Sequence, residues 1–426
     1  MLAGDAIDRD AVRWDPLLVC VAGYILTAVG RIHQLFGALE AIHLAAVTGL
    51  LAIVLYLVDD RRERRADAVP RATLKLAGWL ICWMMLSVPG ALRQGNSFDL
   101  VFNNFLKTAL MSFVVAASIR HRRDVERLAF VYLVGAVVYT GVVISRFDLG
   151  AGDAWRLGHL YYYDANDFAT FAVTAMPLAL YFAHAGRRTG VRLFAAASLV
   201  VLTLGCVRSG SRGGFIALSV VAVFIVLRFS VIPLGWRLSA TALVAIVLMA
   251  AASDHYWEQM GTITSDADYN HTSESGRLQI WSRGIGYMVS NPLLGVGPGN
   301  FQAAEGTLSP LAERQQYGIG VRWNAPHNSF VQIGAELGFP GLAFYIAVIG
   351  CAFVALRRGG DLGPALTASL LGFVVGSFFL SLAYSEMLYT LVALAVGLQK
   401  VTAQTLDAPR QGSGRAGALE CCESPS

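Results

Sequence analysis

Apolar residues along this chain gather in long runs rather than alternating with polar ones. Twelve runs can be read, at approximately 17–30, 41–58, 74–92, 100–118, 128–147, 167–184, 191–207, 214–228, 238–252, 328–356, 364–383 and 387–399. Continuous apolar stretches approaching about 20 residues predict helices that cross a bilayer. The first run is short and is interrupted by Arg31 and His33. Between the ninth and tenth runs, residues 253–327 form a long polar stretch with clusters of Gly, Asn, Ser and Asp. Loops of such length are usually functional. Inside it, Leu278, Trp281, Ile285 and Met288 recur at spacings of three and four. That predicts an amphipathic helix, lying along the membrane surface or capping a cavity. The expected fold is therefore all-α: a polytopic membrane bundle of about 12 transmembrane helices with one long extramembrane loop. Its segments are 1–252 (nine spans), 253–327 (the loop), 328–400 (three spans) and 401–426, a tail whose Gly412-Ser413-Gly414-Arg415 reads as disordered.

Composition agrees with this pattern. Hydrophobic residues make up 55% of 426 positions and charged residues 15%, against about 25% charged in soluble domains. Mean hydropathy is +0.55. A soluble enzyme, a disordered scaffold and a disulfide framework are excluded, and nothing suggests a nucleic-acid partner. Cys20, Cys82, Cys206 and Cys351 fall in apolar runs, where Cys behaves as a small hydrophobe, and Cys421 and Cys422 lie in the tail. The mixed-charge start (Asp5, Asp8, Arg9, Asp10, Arg13) does not read as a cleavable signal.

The net charge of +4 matters less than where the charges sit. Every second loop is basic: Arg61, Arg62, Arg64, Arg65 and Arg71; then Arg120, Arg122 and Arg123; then Arg187, Arg188 and Arg192; then Arg228 and Arg237; then Arg357 and Arg358. By the positive-inside rule these loops and both termini are cytoplasmic, which puts the long loop on the outer face.

Three outer-face stretches carry candidate chemistry. Arg208-Ser209-Gly210-Ser211-Arg212-Gly213-Gly214 joins two apolar runs. Arginine at a membrane edge is costly unless paired or facing a wet cavity. Arg212 can hold a phosphate or diphosphate with its fork of donors; the plainer alternative is a snorkelling arginine in a tight turn. Asn324-Ala325-Pro326-His327-Asn328-Ser329-Phe330 opens the tenth run, where Asn328, Gln332 and Glu336 make a polar stripe at helical spacing. That stripe should face the bundle interior. His327 stands at the mouth, where an imidazole can act as a general base near neutral pH or be a satisfied structural group. In the long loop, Arg277 opens the amphipathic helix, with Arg283 as a competitor for its role. Gly295, Gly297 and Gly299 can form a backbone nest for an anion, although ordinary turns explain them equally well. Asp164, Asn166 and Asp167 begin a further outer-face helix, as N-caps or as substrate-facing groups. Lys107 lies inside its run and can snorkel outward. No His/Cys/Asp/Glu set has metal spacing and no ATP-type phosphate loop is present, so neither metal nor cofactor is implied.

Several of these stretches together resemble the O-antigen ligase family of bacterial envelope proteins. The carriers are Ser209-Gly210-Ser211-Arg212-Gly213-Gly214, Arg277 to Trp281 with Asn291-Pro292-Leu293-Leu294-Gly295-Val296-Gly297, and Pro326-His327-Asn328-Ser329-Phe330 leading into Glu336-Leu337-Gly338-Phe339-Pro340-Gly341. Asp164-Ala165-Asn166-Asp167-Phe168-Ala169 is similar to another family element, usually written with Pro-Asn where this chain has Ala165-Asn166. The likeness is best over about 155–345. It implies a GT-C-like bundle in the bacterial inner membrane with a periplasmic active site and no metal requirement. It also implies an undecaprenyl-diphosphate-linked glycan donor, a glycan or lipid A-core acceptor, Arg212 and Arg277 on the diphosphate, and His327 activating the acceptor hydroxyl. Arg208, Ser211, Arg283, Asn328, Asn166 and Asp167 are expected to help bind substrate. Ligases, polymerases and protein O-glycosylation ligases share these motifs. A transporter or flippase of lipid-linked sugars is the main rival, without the paired broken spans of a repeat transporter. An intramembrane serine protease using Ser209 or Ser211 with His327 lacks an orienting acid. A purely structural membrane subunit leaves the charged motifs unexplained.

Overall fold

The computed structural model describes residues 14–146, 156–157, 163–265, 268–312 and 324–407. The N-terminal charges discussed above and the tail from 408 on, with Cys421 and Cys422, lie outside the described residues. Within them the chain is helical and contains no strand.

Each apolar run forms helix: α1 (Pro16–Val29), α2 (Leu44–Leu57), α3 (Arg71–Ser87), α4 (Gln94–Ser118), α5 (Arg122–Arg146), α6 (Ala165–Ala185), α7 (Thr189–Ser209), α8 (Arg212–Arg228) and α9 (Leu234–Ala251). The long loop contributes α10 (Asp254–Gly261), α11 (Arg277–Ser290) and α12 (Phe301–Thr307), after which come α13 (Ser329–Leu356), α14 (Gly363–Ser377) and α15 (Glu386–Asp407). Six of these, α4, α5, α6, α7, α9 and α13, are long and apolar enough to cross a membrane by length and composition, while α1 and α2 are shorter apolar helices. The final helix continues to Asp407, so 401–407 extend the last helix instead of opening a tail.

Helix α6 is the centre of the bundle. It is apolar all round, as a helix enclosed by others must be, and 89% of its apolar window is buried against 6% for the peripheral α9. It packs on α5, α7, α8 and α14, and α13 packs on α3, α11 and α15.

The arginine-rich loops gather at one end, where the buried Arg64 and Arg120 are paired. Buried Arg64 reaches Asp15 at 2.6 Å, the Ser118 carbonyl at 3.0 Å and also Asp59. Arg120 joins Asp15 at 2.7 Å and Asp124 at 3.1 Å. Lys400 Nζ donates to the Ala117 and Glu63 carbonyls at 2.9 and 3.0 Å. These bonds tie the start of α1, the α2–α3 loop, the end of α4 and α15 to one another. The candidate functional stretches all lie at the opposite end.

At that opposite end α13 is broken, and the long loop repairs it. Gly338 adopts φ 68° and ψ −170°, and Pro340 has no N–H to donate to the Glu336 carbonyl. Broken helices survive at membrane depth only where other groups satisfy the freed backbone. Here residues 291–300 supply them. The Val296 N–H donates to the Ala335 carbonyl at 2.9 Å and the Gly297 N–H to the Glu336 carbonyl at 3.0 Å. The Phe339 N–H, displaced from Ala335, donates to the Pro292 carbonyl at 2.9 Å. The Trp83 indole donates to the Leu337 and Leu293 carbonyls at 3.1 and 3.2 Å. Gly295 and Gly297 are required by this contact. They have φ +64° and +94°, and a Cβ on either would fall 2.3 Å from the Glu336 carbonyl carbon or 2.2 Å from the Ala91 Cβ. The glycine-rich stretch is thus an interlock with α13: the N–H groups of Val296 and Gly297 are taken by α13 carbonyls, and the anion nest expected from the sequence is corrected.

The amphipathic helix is present as α11. Ile280, Gly284 and Tyr287 are buried, while Leu278, Ile285 and Val289 are exposed. Gly284 sets this orientation by bringing α11 against α13 and α12; a Cβ there would sit 2.4 Å from Val331 Cγ1 and 2.8 Å from the Phe301 ring. Its outer side keeps an apolar stripe, as a helix lying in a membrane surface requires.

Candidate active site

Several helix ends and one loop meet at the mouth. Ser211 caps α8, its Oγ accepting from the Gly214 N–H at 3.1 Å. Gly213 and Gly214 let the first turn of α8 press on its neighbours: a Cβ would come 2.9 Å from Phe379 Cβ and 2.5 Å from Ala169 Cβ respectively. The pair therefore serves helix packing. It holds Arg212, the first residue of α8, at the rim, where the helix N-terminus adds to its positive field. Its Nη1 donates to Thr262 Oγ1 at 2.6 Å and to Asp268 Oδ2 at 2.7 Å. Arg212 and two backbone or side-chain donors from Asn270 hold the Asp268 carboxyl below the usual carboxylate range, against the opposing effect of its partial burial, the largest single influence on it.

Asp164 caps α6, accepting from the Asn166 and Asp167 N–H groups at 2.7 and 2.8 Å. Arg156 is a cation that the sequence reading passed over. Its Nε donates to the Ser209 carbonyl at 2.8 Å and its Nη2 to Asn166 Oδ1 at 3.2 Å, so it ties the end of α7 to the start of α6. Burial, then the neighbouring charge of Arg212, pull its pKa down, while Asp164 opposes them. An outer-face arginine 52 residues ahead of Arg208 was the available signal, since sidedness disfavours arginine there. Arg208 contributes its carbonyl, which accepts from the Leu157 N–H at 3.0 Å.

His327 precedes the cap of α13 in a left-handed conformation (φ 45°), an uncommon backbone state for a non-glycine residue. Its N–H donates to Ser381 Oγ at 3.0 Å. The turn is braced from α11, where the Trp281 indole donates to the Pro326 carbonyl at 3.0 Å. Asn328 acts as the helix cap, accepting from the Phe330 and Val331 N–H groups at 2.9 and 3.1 Å. Burial pulls the His327 pKa below 6.5, Arg277 lowers it further and Asp164 raises it. His327 thus feels the charges of both Arg277 and Asp164, and Arg156 those of Asp164 and Arg212. One site brings together two expected arginines, the expected histidine and the acidic helix start.

One expected substrate-binding residue falls elsewhere, while the polar stripe of α13 faces the interior as expected. Arg283 is held by Glu305, Nε to Oε1 at 2.8 Å and Nη2 to Oε2 at 2.6 Å, with Tyr287 donating to the same carboxylate at 2.8 Å. It fastens α11 to α12. The stripe of Asn328, Gln332 and Glu336 is buried, and Glu336 is structural in its contacts: it accepts from Tyr384 Oη at 2.6 Å and from the Phe301 N–H at 3.3 Å. Among the described residues no three His, Cys, Asp or Glu side chains cluster as metal ligands.

Residues 196–346 match the family model described as O-antigen ligase. Over these residues the chain is similar to the O-antigen ligase family. The match takes in Arg212, Arg277, His327 and both halves of the interlock, and leaves Arg156 and the start of α6 outside. No curated protein matches the chain. This likeness and the six helices long and apolar enough to cross a membrane together support a multi-pass membrane protein similar to O-antigen ligases.

Proposed function

We propose that the O-antigen ligase domain transfers or polymerises a glycan carried on undecaprenyl diphosphate, at the periplasmic mouth of a bundle of about 12 spans with a GT-C-like plan, in the inner membrane. The observation that carries this reading is the placement of Arg277 beside His327 and of Arg156 beside Arg212, with Asp164 acting on both His327 and Arg156, at the end of the bundle opposite the arginine-rich loops. Those loops mark the cytoplasmic side by the positive-inside rule.

The chemistry is a single displacement with inversion. His327, neutral at pH 7 because burial and Arg277 disfavour its charged form, accepts the proton of the acceptor hydroxyl as that oxygen attacks the anomeric carbon. The bond from that carbon to the diphosphate breaks, and the electron pair leaves on the diphosphate. Arg212 and Arg277 stabilise the leaving charge, with Arg156 adding to the positive field. Asp164 faces the imidazolium as it forms. In the resting site Asp268 occupies Arg212, and the donor diphosphate displaces it. Arg208, Ser211, Asn166 and Asp167, at the adjoining helix ends, help to bind the donor in this reading, and the inverting course needs no metal.

Arg212→Ala or Arg277→Ala should abolish transfer with protein level unchanged; full activity in either variant would sink the assignment. A size profile of undecaprenyl-linked glycans in a deletion strain then separates the activities. Single repeat units accumulate if the protein polymerises. Long lipid-linked chains missing from the surface accumulate if it ligates. An unchanged profile would reject this glycan pathway.

A further inference from the structure

A second polar cavity lies away from the arginine–histidine centre, between α1, α2 and α4. Its volume is about 530 Å³, where about 10–15 Å³ suffices for one water. Its polar lining is Arg31, Asn103, Asn104, Lys107, Thr108 and Glu386. Nothing in the proposed transfer uses it.

Its walls are irregular in a way ordinary spans are not. The π-helical segments among the described residues are Ile25–Val29 and Asp99–Phe105, and both border this cavity, through Ala28 and through Asn103 and Asn104. Such segments are rare and recur at functional sites. Arg31 adopts φ 50°, and strained non-glycine backbone likewise clusters at binding sites. Arg31 is held by Glu386 at 3.2 Å. Asn104 Nδ2 donates to the Asp99 carbonyl and to Asp99 Oδ2, both at 3.1 Å, and Asn103 Nδ2 to Asp99 Oδ1 at 2.8 Å, which leaves one free N–H, on the Asn103 amide. Lys107 has no hydrogen bond or ion pair among the described residues, and with Arg31 against Glu386 it gives the cavity one positive charge in excess. A cation that deep in an apolar helix, facing a cavity, marks a ligand site by default.

The opening faces the bilayer. Leu50 and Leu110 line the cavity and are 63% and 43% exposed, and Leu110 continues the face of α4 that carries Asn103 and Lys107. Leu110 also lines an apolar cavity of about 310 Å³ between α3, α4, α13 and α15. A ligand with a phosphate at Lys107 and a hydrocarbon chain running past Leu110 matches both cavities, whereas a soluble anion meets an apolar sill.

We propose that this cavity binds the phosphate of an anionic lipid from the surrounding leaflet, with Lys107 as its charge partner and the Asn103 amide as a donor. The proposal does not rest on the transfer reading. It is tested by native mass spectrometry of the full chain in detergent, with dioleoylphosphatidylglycerol or dioleoylphosphatidylcholine added. The chain should retain one phosphatidylglycerol at least tenfold better than phosphatidylcholine. Lys107→Gln should remove the preference, Lys107→Arg restore it, and Asn103→Leu weaken it, all with an unchanged melting temperature. A preference that survives Lys107→Gln overturns the site. Inorganic phosphate at millimolar concentration should not displace the lipid; displacement would make the ligand a free anion and overturn the lipid assignment. Should Lys107→Gln melt early, Asn103→Leu decides: an undiminished preference there rejects the proposal. Because the readout is lipid retention, it is independent of any transferase result.

Discussion

At the scale of single residues, the acidic cap of α6 and the histidine before α13 are coupled through space. Asp164 raises the His327 pKa, while burial and Arg277 lower it below 6.5. A general base works in its neutral form, so activity should rise with pH through the His327 pKa, below pH 6.5, and then level off. Asp164→Asn keeps a side chain that caps a helix but removes the charge. The acidic limb should therefore move to lower pH, and the rate should fall as the imidazolium loses its counter-charge. Glycan transfer in detergent measured from pH 5 to 8 checks this; an unmoved limb would separate His327 from the base role. Asp268→Asn is expected to act oppositely on binding. It removes the anion that competes for Arg212, and the donor KM should fall by up to about tenfold, which is about 1.4 kcal/mol. A raised KM would mean that Asp268 orders the site for substrate.

At the scale of elements, motif residues divide into those that face the mouth and those that hold the mouth's shape. Arg283 and Arg277 lie on the same short helix and look equivalent in sequence, yet Arg283 is clasped by buried Glu305. Breaking a buried ion pair from one side costs about 3–5 kcal/mol. Arg283→Ala should thus lower the melting temperature and the yield of folded protein, whereas Arg212→Ala should leave both near normal, as fluorescence-detected size exclusion will show. Gly297→Ala should fail to fold. The left-handed backbone alone costs about 1–2 kcal/mol for an ordinary residue, and the new Cβ would meet Ala91 at 2.2 Å. Much of this layer was illegible in the sequence. Periodicity found α11 and its outer apolar stripe but not its buried side, because Gly284 selects that side by close approach and carries no apolar signal of its own. The glycines at 295 and 297 left an anion nest and an ordinary turn equally open, because the partner that takes the N–H groups of Val296 and Gly297 lies about 40 residues further on.

At the scale of the whole molecule, the order of apolar runs and the alternation of arginines carried most of the plan. Every run became helix at close to its expected limits, and the basic loops share one end. Hydrophobic patterning survives translation into structure because burial from water is not directional. Arg156 was missed for the converse reason. Its part depends on two helix ends, at Ser209 and Asn166, meeting in space, and no spacing along the chain announces that. Sidedness itself has a direct check. Ser290→Cys, on the exposed end of α11, should react with a membrane-impermeant maleimide from the periplasm, and Arg357→Cys only after the inner membrane is opened. The reverse pattern would invert the topology.

The interlock between residues 291–300 and the break in α13 bears on how such proteins can be recombined. A crossover that takes the long loop from one relative and the following span from another separates donors from the acceptors they were matched to: Val296 from Ala335, Gly297 from Glu336, Pro292 from Phe339. The loop is thus no portable specificity cassette. Chimeras joined between 301 and 328 should be expelled by quality control, while those that move 291–341 as one block should accumulate, and the inheritable unit of this domain is that block.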